Sequence, residues 1–489
     1  MTAAAVGAAA AADRRLWRAY LVAITVYFGL HALVRVLVSP SPELDEAEQL
    51  LWSQRLAWGY GTQPPLYTWL QATWFSVTGV SIAGLTTLKN TLLWVIYAAT
   101  AAAVRRLAGT PAAVVAGASL LWLPTLGWES QRDLTHTVLA TACAAVAFWL
   151  MVRIVERGLP RDYVALGAVA GLGLLAKYNF AVFLALALVA AVFSRGWRHR
   201  LFSRYTLLAM AIAGAVVAPH LVWAVEHWDL VSGGTLAKMT AHDRRSVGER
   251  IGVAAQAVLA FATPWWLVFG GLALWRRGKG VQRPQTTELP RPAMQAWILA
   301  YGALVVVVLA VMALMGATQI KARWLQPMLF LLPALVIVML PLDWNAQRWR
   351  TYQWVSVGLA LLFLALMALR GYHQGGKPRP DEWNLPIPGL AQAIRGAGFQ
   401  TGVIVVPNAV IAGGLRLQFP QAEVFVAAQP MPDPRGRPQV FVQAEHGGGL
   451  MSAWPLATPP QTVRLPFLYA RPDTPLFEAR FVVLPAVRP

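Results

Sequence analysis

Apolar residues fall along most of this chain in long runs rather than in strand-like alternation. A helix needs about 20 mostly apolar residues to cross a bilayer. Candidate runs lie at residues 19–38, 82–104, 112–126, 134–152, 163–176, 180–193, 205–225, 251–275, 293–315, 324–342 and 352–369. The pattern predicts about eleven transmembrane helices, several of them short. Every second gap between runs holds a basic cluster: Arg14, Arg15 and Arg18; Arg105 and Arg106; Arg153, Arg157 and Arg161; Arg195, Arg198, Arg200 and Arg204; Arg276, Arg277, Lys279, Arg283 and Arg291; Arg348 and Arg350. Cytoplasmic loops are enriched in Lys and Arg. The chain is therefore expected to start inside and, after an odd number of crossings, to end outside. The outer gaps are residues 39–81, 127–133, 177–179, 226–250, 316–323 and everything after Arg370.

The first outer gap has a pattern of its own. Trp52, Trp58, Trp69 and Trp74 stand in it with helical apolar spacing. Residues 43–58 and 64–77 read as two amphipathic helices on the membrane surface, split by a Gly and Pro break at 59–65. Ser41-Pro42-Glu43 predicts the first start: an N-cap, a proline at the first helical position and acid in the first turn. After Arg370 the runs shrink to strand length. Residues 402–407, 423–427, 438–443 and 479–484 read as strands and 409–417 as a helix, giving a small α/β domain outside the membrane. The expected organisation is a floppy cytoplasmic tail over 1–18, a membrane domain over 19–370 with its first outer loop at 39–81, and an extracytoplasmic domain over 371–489. The tail is Ala-rich with its charge last, whereas a cleavable signal peptide puts charge first and has a shorter apolar core.

Composition sharpens this by exclusion. Hydrophobic residues make up 57% and charged residues 13%, with net charge +19. Soluble domains carry about 25% charge, so a soluble enzyme and a disordered chain are both excluded. The positive charge sits in short interhelical clusters and not in one stripe, which argues against a nucleic-acid partner. The single cysteine, Cys143, allows no internal disulfide and reads as a small buried hydrophobe.

Candidate chemistry gathers at the outer face. Asp45, Glu46 and Glu48 open the first surface helix. Adjacent carboxylates repel, raising one pKa, and such a group can serve as a general base toward a hydroxyl. The plainer alternative is an acidic first turn stabilised by the helix dipole. Lys89, Lys177, Lys321 and Arg323 stand at helix ends on the same face. They could hold an anionic group such as a lipid phosphate, or simply snorkel. Asp133 is expected as the N-cap opening the fourth span, with His136 on the same helix face. Glu129, His220, Glu226 and His227 lie near the same face. No strong metal spacing, Walker loop, dinucleotide turn or nucleophile elbow occurs. With only basic loops inside, a cytosolic nucleotide-sugar or ATP site is disfavoured. A lipid-linked-sugar transporter is the main alternative to an enzyme, although transporters place their polar sites near the midplane.

Several segments carry a family resemblance. Glu43-Leu44-Asp45-Glu46-Ala47-Glu48, Leu51 to Tyr60 (LWSQRLAWGY) and Gln63-Pro64-Pro65-Leu66 resemble the first outer loop of bacterial polyprenyl-phosphate-sugar glycosyltransferases of the GT-C class. That group includes protein O-mannosyltransferases, aminoarabinose transferases and lipopolysaccharide-core galacturonosyltransferases. Residues 171–178 (GLGLLAKY), Pro219-His220, Glu226-His227-Trp228, Arg323 to Pro327 and residues 408–419 match further family segments in order. The resemblance implies a GT-C membrane fold and a polyprenyl-phosphate-sugar donor at the outer leaflet of the bacterial inner membrane. It implies an envelope glycolipid, glycan or protein as acceptor. Asp45 matches the family's first-loop base, with inversion at the anomeric carbon. Glu46 would tune it, and Asp133 matches an acidic position orienting the site. Lys89, Lys177, Lys321 and Arg323 would stabilise the leaving phosphate. Trp58, Tyr60, Tyr67 and His136 would contact sugar or acceptor. Lys89 stands where many relatives have Arg, and Leu134-Thr135-His136 stands where Asp-Thr-Pro is frequent. Some members use a divalent ion, and Asp45, Glu46 and Asp133 could assemble a weak oxygen site for magnesium or manganese.

Overall fold

The structure, a computed structural model, describes residues 3–239, 246–274, 291–339, 346–427, 436–444 and 459–486. Helices run in the order α1 (Ala3–Val38), α2 (Leu44–Trp52), α3 (Leu66–Thr78), α4 (Ile82–Leu120), a π-helical turn (Thr125–Glu129), α5 (Ser130–Arg132), α6 (His136–Arg157), α7 (Pro160–Ala176), α8 (Phe180–Val192), α9 (Arg195–Leu201) and α10 (Arg204–Glu226). They continue with α11 (Trp228–Met239), α12 (Val247–Ala262), α13 (Trp265–Leu274), α14 (Arg291–Leu314), α15 (Ala322–Leu329), α16 (Leu332–Met339) and α17 (Ala346–Gly375). A 3-10 turn (Glu382–Asn384), α18 (Ile387–Gly396), β1 (Val403–Val406), α19 (Ala409–Gln418), β2 (Glu423–Val426), β3 (Gln439–Ala444), β4 (Gln461–Leu465) and β5 (Phe477–Leu484) complete the order.

Each expected apolar run is largely helical where it is described, with breaks at 121–123, 263–264 and 330–331. Among the described residues seven helices are long and apolar enough to cross a membrane, or nine if each of two bent pairs is one span. The gap from eleven has physical causes. The runs at 82–104 and 112–126 are two helices, as expected, separated where Gly109 leaves the helical conformation at φ 82° just before Pro111; they share the label α4 and are counted once. The helices α7 and α8, of 17 and 13 residues, are too short to count alone. The alanine-rich start, expected to be floppy, is helical from Ala3, as alanine's helix propensity allows. Arg276, Arg277, Lys279 and Arg283, with the ends of the runs at 251–275 and 324–342, lie outside the described residues.

The chain divides into two compact units. The first comprises residues Met1–Phe28, Ala57–Tyr67 and Thr91–Phe363. Its centre is α6, buried along most of its length. Gly167 and Gly171 in α7 face α10: a Cβ on Gly167 would lie 2.5 Å from Ala209 O, and one on Gly171 2.7 Å from Val216 Cβ. Small residues four apart let two backbones approach closely in an apolar medium.

The second unit comprises Gly29–Leu56, Thr68–Asn90 and Leu364–Pro489. Its sheet has the order β2-β1-β3-β5-β4, with β1 parallel to β2 and β3 and the remaining pairs antiparallel. Helices α18 and α19 cover one face, and Leu390, Ile394, Ile404, Val406, Ile411, Leu415, Val424 and Val440 form the core beneath them. Asn408 caps α19, its Oδ1 accepting from the Val410 and Ile411 N–H groups. The surface-helix expectation needs correction at both ends of α2. The N-cap is Glu43, so Pro42 precedes the helix. The helix stops at Trp52, not 58, because the Gln54 side chain turns back to donate to Leu51 O at 2.9 Å. Its apolar face, expected on the bilayer, packs on α19 instead: Ala47 is fully buried, and a Cβ on Gly413 would fall 2.6 Å from Ala47 Cα. Leu50 joins Phe75, Ile82 and Leu85 in a small core with Leu417 against it.

Candidate active site

In the second unit the acid-bearing helix is fixed by a buried ion cluster. Arg35 lies in the last turn of α1, where a cation complements the helix dipole. Its Nη1 donates to Ser39 O and its Nη2 to Ser41 O, both at 2.8 Å. The same guanidinium grips Glu46 with Nη2 to Oε2 at 2.6 Å and Nε to Oε1 at 3.3 Å. Glu46 Oε2 also accepts from the Glu43 N–H at 3.0 Å, closing the helix start. The Lys89 ammonium stands 3.7 Å from Glu46 Oε1 on a side chain 2% exposed. It has no hydrogen-bond acceptor among the described residues. Burial alone would push the Glu46 carboxyl up, but Arg35 and Lys89 outweigh it and hold Glu46 below the usual carboxylate range. Asp45, the next residue back on α2, is half-buried.

A second pair braces this cluster. Arg370 pairs with Glu43 and, at 2.8 Å, with Asp381. The Arg35 and Arg370 guanidinia both lie over the Trp383 ring, 4.4 and 4.2 Å from its centroid. Burial pushes the Glu43 carboxyl up to about 7; Arg370 opposes this, and nearby Glu382 and Glu46 add to it. The acid raised by its surroundings is therefore Glu43, whereas Glu46 is lowered.

The first unit holds the other candidates. Lys177 caps α7 in extended backbone, and its ammonium donates to Thr137 Oγ1 at 2.6 Å. His136 is buried, with Nδ1 3.2 Å from Ala176 O and its ring 5.5 Å from that of Tyr67. Asp133 lies between Arg323 at 3.9 Å and Arg132 at 4.0 Å. It is not the expected N-cap: Thr135 is, and α6 begins at His136. Residues 125–132 are a π-helical turn and α5, not a loop, so Asp133 ends that helical stretch and shares no helix face with His136. Lys321, at the N-cap of α15, is exposed. Asn179 beside Lys177 donates to Trp324 O at 2.8 Å, tying the α7–α8 turn to α15. Trp58 is half exposed, and its carbonyl lies 2.6 Å from His220 Nδ1. Tyr178 stacks on His220, which neighbours Trp223, and Trp223 fills the space beside Gly59, where a Cβ would lie 2.0 Å from the ring. Tyr60 is buried, its hydroxyl accepting from the Ala57 N–H at 2.9 Å.

Residues 62–223 match the family model described as dolichyl-phosphate-mannose-protein mannosyltransferase. Two lipopolysaccharide core galacturonosyltransferases of Rhizobium johnstonii, RgtA and RgtB, are each 32% identical to this chain. The first match covers 88% of this chain and 85% of RgtA, the second 92% and 94% of RgtB. The chain belongs to their family, GT-C membrane glycosyltransferases. Its fold is that of ArnT from Cupriavidus metallidurans, solved bound to undecaprenyl phosphate, at a TM-score of 0.61 and 13% identity over 88% of this chain and 93% of that one.

The family makes this glycosyltransferase a multi-pass membrane enzyme, and the transporter alternative falls with it. Among the described residues no group of three or more His, Cys, Asp or Glu converges to hold a metal ion. Glu46, one of the expected oxygen ligands, is committed to Arg35, so no step is drawn through a metal. Arg35, Arg370 and Trp383 escaped the sequence reading. Arg35 carried a usable signal, since an ionisable residue inside an apolar run is a functional candidate by default. Trp383 carried none, because its role depends on partners more than 340 residues away: Ser39 Oγ donates to its carbonyl across 344 positions.

Proposed function

We propose that this enzyme transfers a sugar from a polyprenyl-phosphate donor to a hydroxyl of an envelope glycolipid, with Asp45 as general base. Asp45 takes the proton of the acceptor hydroxyl, and the acceptor oxygen attacks the anomeric carbon. The bond from that carbon to the phosphate oxygen breaks, configuration inverts, and the lipid phosphate leaves as the anion. No acid is needed for that leaving group; cations that stabilise it are. Lys89, Lys177 and Arg323 fill that role, with Lys321 at the rim. Glu46 orients Asp45 through α2, and Asp133 orients Arg323. Trp58, Tyr60, Tyr67 and His136 line the sugar and acceptor side. The reading places the enzyme in the inner membrane with its N-terminus cytoplasmic and residues 371–489 periplasmic, as the alternation of basic gaps supports.

The observation that carries this proposal is the Lys89 ammonium beside α2: its side chain is 2% exposed, it stands 3.7 Å from Glu46 Oε1, and it has no hydrogen-bond acceptor among the described residues. A buried ammonium is costly unless an acceptor completes it. Lys89 is therefore the group suited to receive an anion. The names of the two Rhizobium relatives support a uronic acid as the sugar and a lipopolysaccharide core as the acceptor, and the bound lipid of the ArnT structure supports the donor class. The test uses purified enzyme, synthetic polyprenyl-phosphate galacturonate and a core oligosaccharide glycolipid. Asp45→Asn should lower the transfer rate by about 10²–10⁴-fold, the usual contribution of a general base, while leaving insertion and folding intact. A wild-type rate in that variant would remove the mechanism. Equal rates with a neutral hexosyl donor would remove the uronic acid.

A further inference from the structure

The acid helix α2 belongs to the same compact unit as the sheet domain, and its attachments explain why. Four separate contacts join them. Ala47 of α2 sits against Gly413 of α19 so closely that any side chain at 413 would meet Ala47 Cα at 2.6 Å and Cβ at 2.7 Å. Leu51 enters the core of the sheet domain, and Trp52 packs on that core. The Gln54 side-chain amide lies along the free edge of β2: Nε2 donates to Val424 O at 2.9 Å and Oε1 accepts from the Val424 N–H at 2.8 Å. One amide thus completes an edge strand as a neighbouring strand would. Before the helix, Ser41 Oγ donates to Leu385 O at 2.7 Å, next to the Ser39–Trp383 bond.

These contacts exceed what simple docking of a loop needs. Glycine at 413 has helical backbone and is not required by φ; it is required by the approach of Ala47. The Gln54 amide satisfies both polar groups of one edge residue, an arrangement that a shift of about 1 Å would break. Asp45 lies two residues before Ala47 on the same short helix, so the sheet domain sets its place together with the Arg35–Glu46 pair.

We propose that the sheet domain is a positioning device for Asp45, acting through α19 and β2, with Gly413 and Gln54 as its positioning residues. This rests on the reading of Asp45 as the base. Ordinary carbon contacts lie about 3.5–4.0 Å apart, so Gly413→Ala displaces α2 by roughly 1 Å. A misplacement of that size outside the reacting centre costs up to about 10²-fold in rate.

The experiment measures kcat and donor KM of the full-length enzyme in lipid nanodiscs, with the lipid-linked galacturonate donor and core acceptor named above. Gly413→Ala should lower kcat at least about tenfold, with donor KM changed less than about twofold, since the displaced group is the base and not the phosphate cations. Gln54→Ala should do the same more mildly. Gln54→Glu, which sets a carboxylate oxygen against the Leu51 and Val424 carbonyls that Nε2 now donates to, should lower kcat at least as far as Gln54→Ala. Arg480→Ala, at an exposed ion pair of β5, should leave kcat unchanged. If Gly413→Ala does not fold, the Gln54 series decides. Wild-type kcat in the folded Gly413 and Gln54 variants overturns the proposal, as does a loss that appears in KM alone. Asp45→Asn is run beside them. If it is inactive while the positioning variants are normal, only the positioning role falls; if it is active, the base reading itself falls.

Discussion

Replacing Arg35 by methionine keeps an unbranched apolar stem and removes the charge and five donors. In the native cluster Arg35 and Glu46 are 3% and 1% exposed, at 2.6 Å. Without Arg35 the nearest cation to Glu46 is Lys89, 3.7 Å from its other oxygen, too far for a hydrogen bond. The Ser39 and Ser41 carbonyls lose the guanidinium as well. Removing one partner of a buried pair costs about 3–5 kcal/mol because a charge is left uncompensated. At 1.4 kcal/mol per tenfold, the amides of α2 should exchange with deuterium roughly 10²–10³-fold faster, measured on the full-length protein in detergent. Glu46→Gln should cost at least as much, since it leaves both Arg35 and Lys89 buried without the carboxylate. The double variant should cost less than both singles together, with a coupling of about 2–3 kcal/mol. Unchanged exchange in α2 for Arg35→Met, or an additive cycle, would refute the argument that this pair fixes the acid helix.

Lys177→Ala removes the ammonium bonded to Thr137 and should raise donor KM about tenfold with a smaller effect on kcat; an unchanged donor affinity leaves Lys177 as a helix-end residue only. Glu43, pushed up to about 7 by burial against the opposition of Arg370, has a folded pKa above its unfolded value. Its contribution to stability is therefore full below about 4.5 and lost as pH rises through about 7. The unfolding midpoint should fall between about pH 4.5 and pH 7, and Glu43→Gln should flatten that slope; an identical slope in the variant would sink the assignment. Reporter fusions after Arg350 and Arg370 should read inside and outside respectively, and an inside signal at the second would break the odd number of crossings.

The helices were legible because lipid demands long apolar runs, and the eleven runs are largely helical where described. The break between 82–104 and 112–126 was legible too, since Gly109, at φ 82°, and Pro111 stand in it. In the sheet domain β1, β2, β3 and β5 announced themselves as short apolar runs. β4 did not, because QTVRL lies on the edge with most positions exposed or half-buried, and its strand state comes from pairing with β5. α18 was hidden among prolines and glycines. The site was half legible. Asp45, Glu46 and Lys89 were singled out by residue type and place, and Glu46 and Lys89 do meet. Their organiser, Arg35, meets Ser39, Ser41 and Glu46, all within 11 residues of it, so its role was legible locally; only its stacking on Trp383 was not.

The dipeptide Asp45-Glu46 shows how much of a mechanism such folding decides. In sequence the two acids are equivalent, and mutual repulsion is the only physics available. On a helix, successive side chains diverge by about 100°. Turning Glu46 inward to Arg35 and Lys89 therefore turns Asp45 away from that pair, where it stays half-buried. The cations then act oppositely to the repulsion expected: they hold Glu46 below its usual range, so it serves as a fixed negative anchor and not as a proton acceptor. Under the proposed mechanism one carboxylate is committed to geometry while its neighbour does the chemistry. Lys89, buried 3.7 Å from Glu46 Oε1 with no hydrogen-bond acceptor among the described residues, is then the cation suited to take up an anion beside the proposed base.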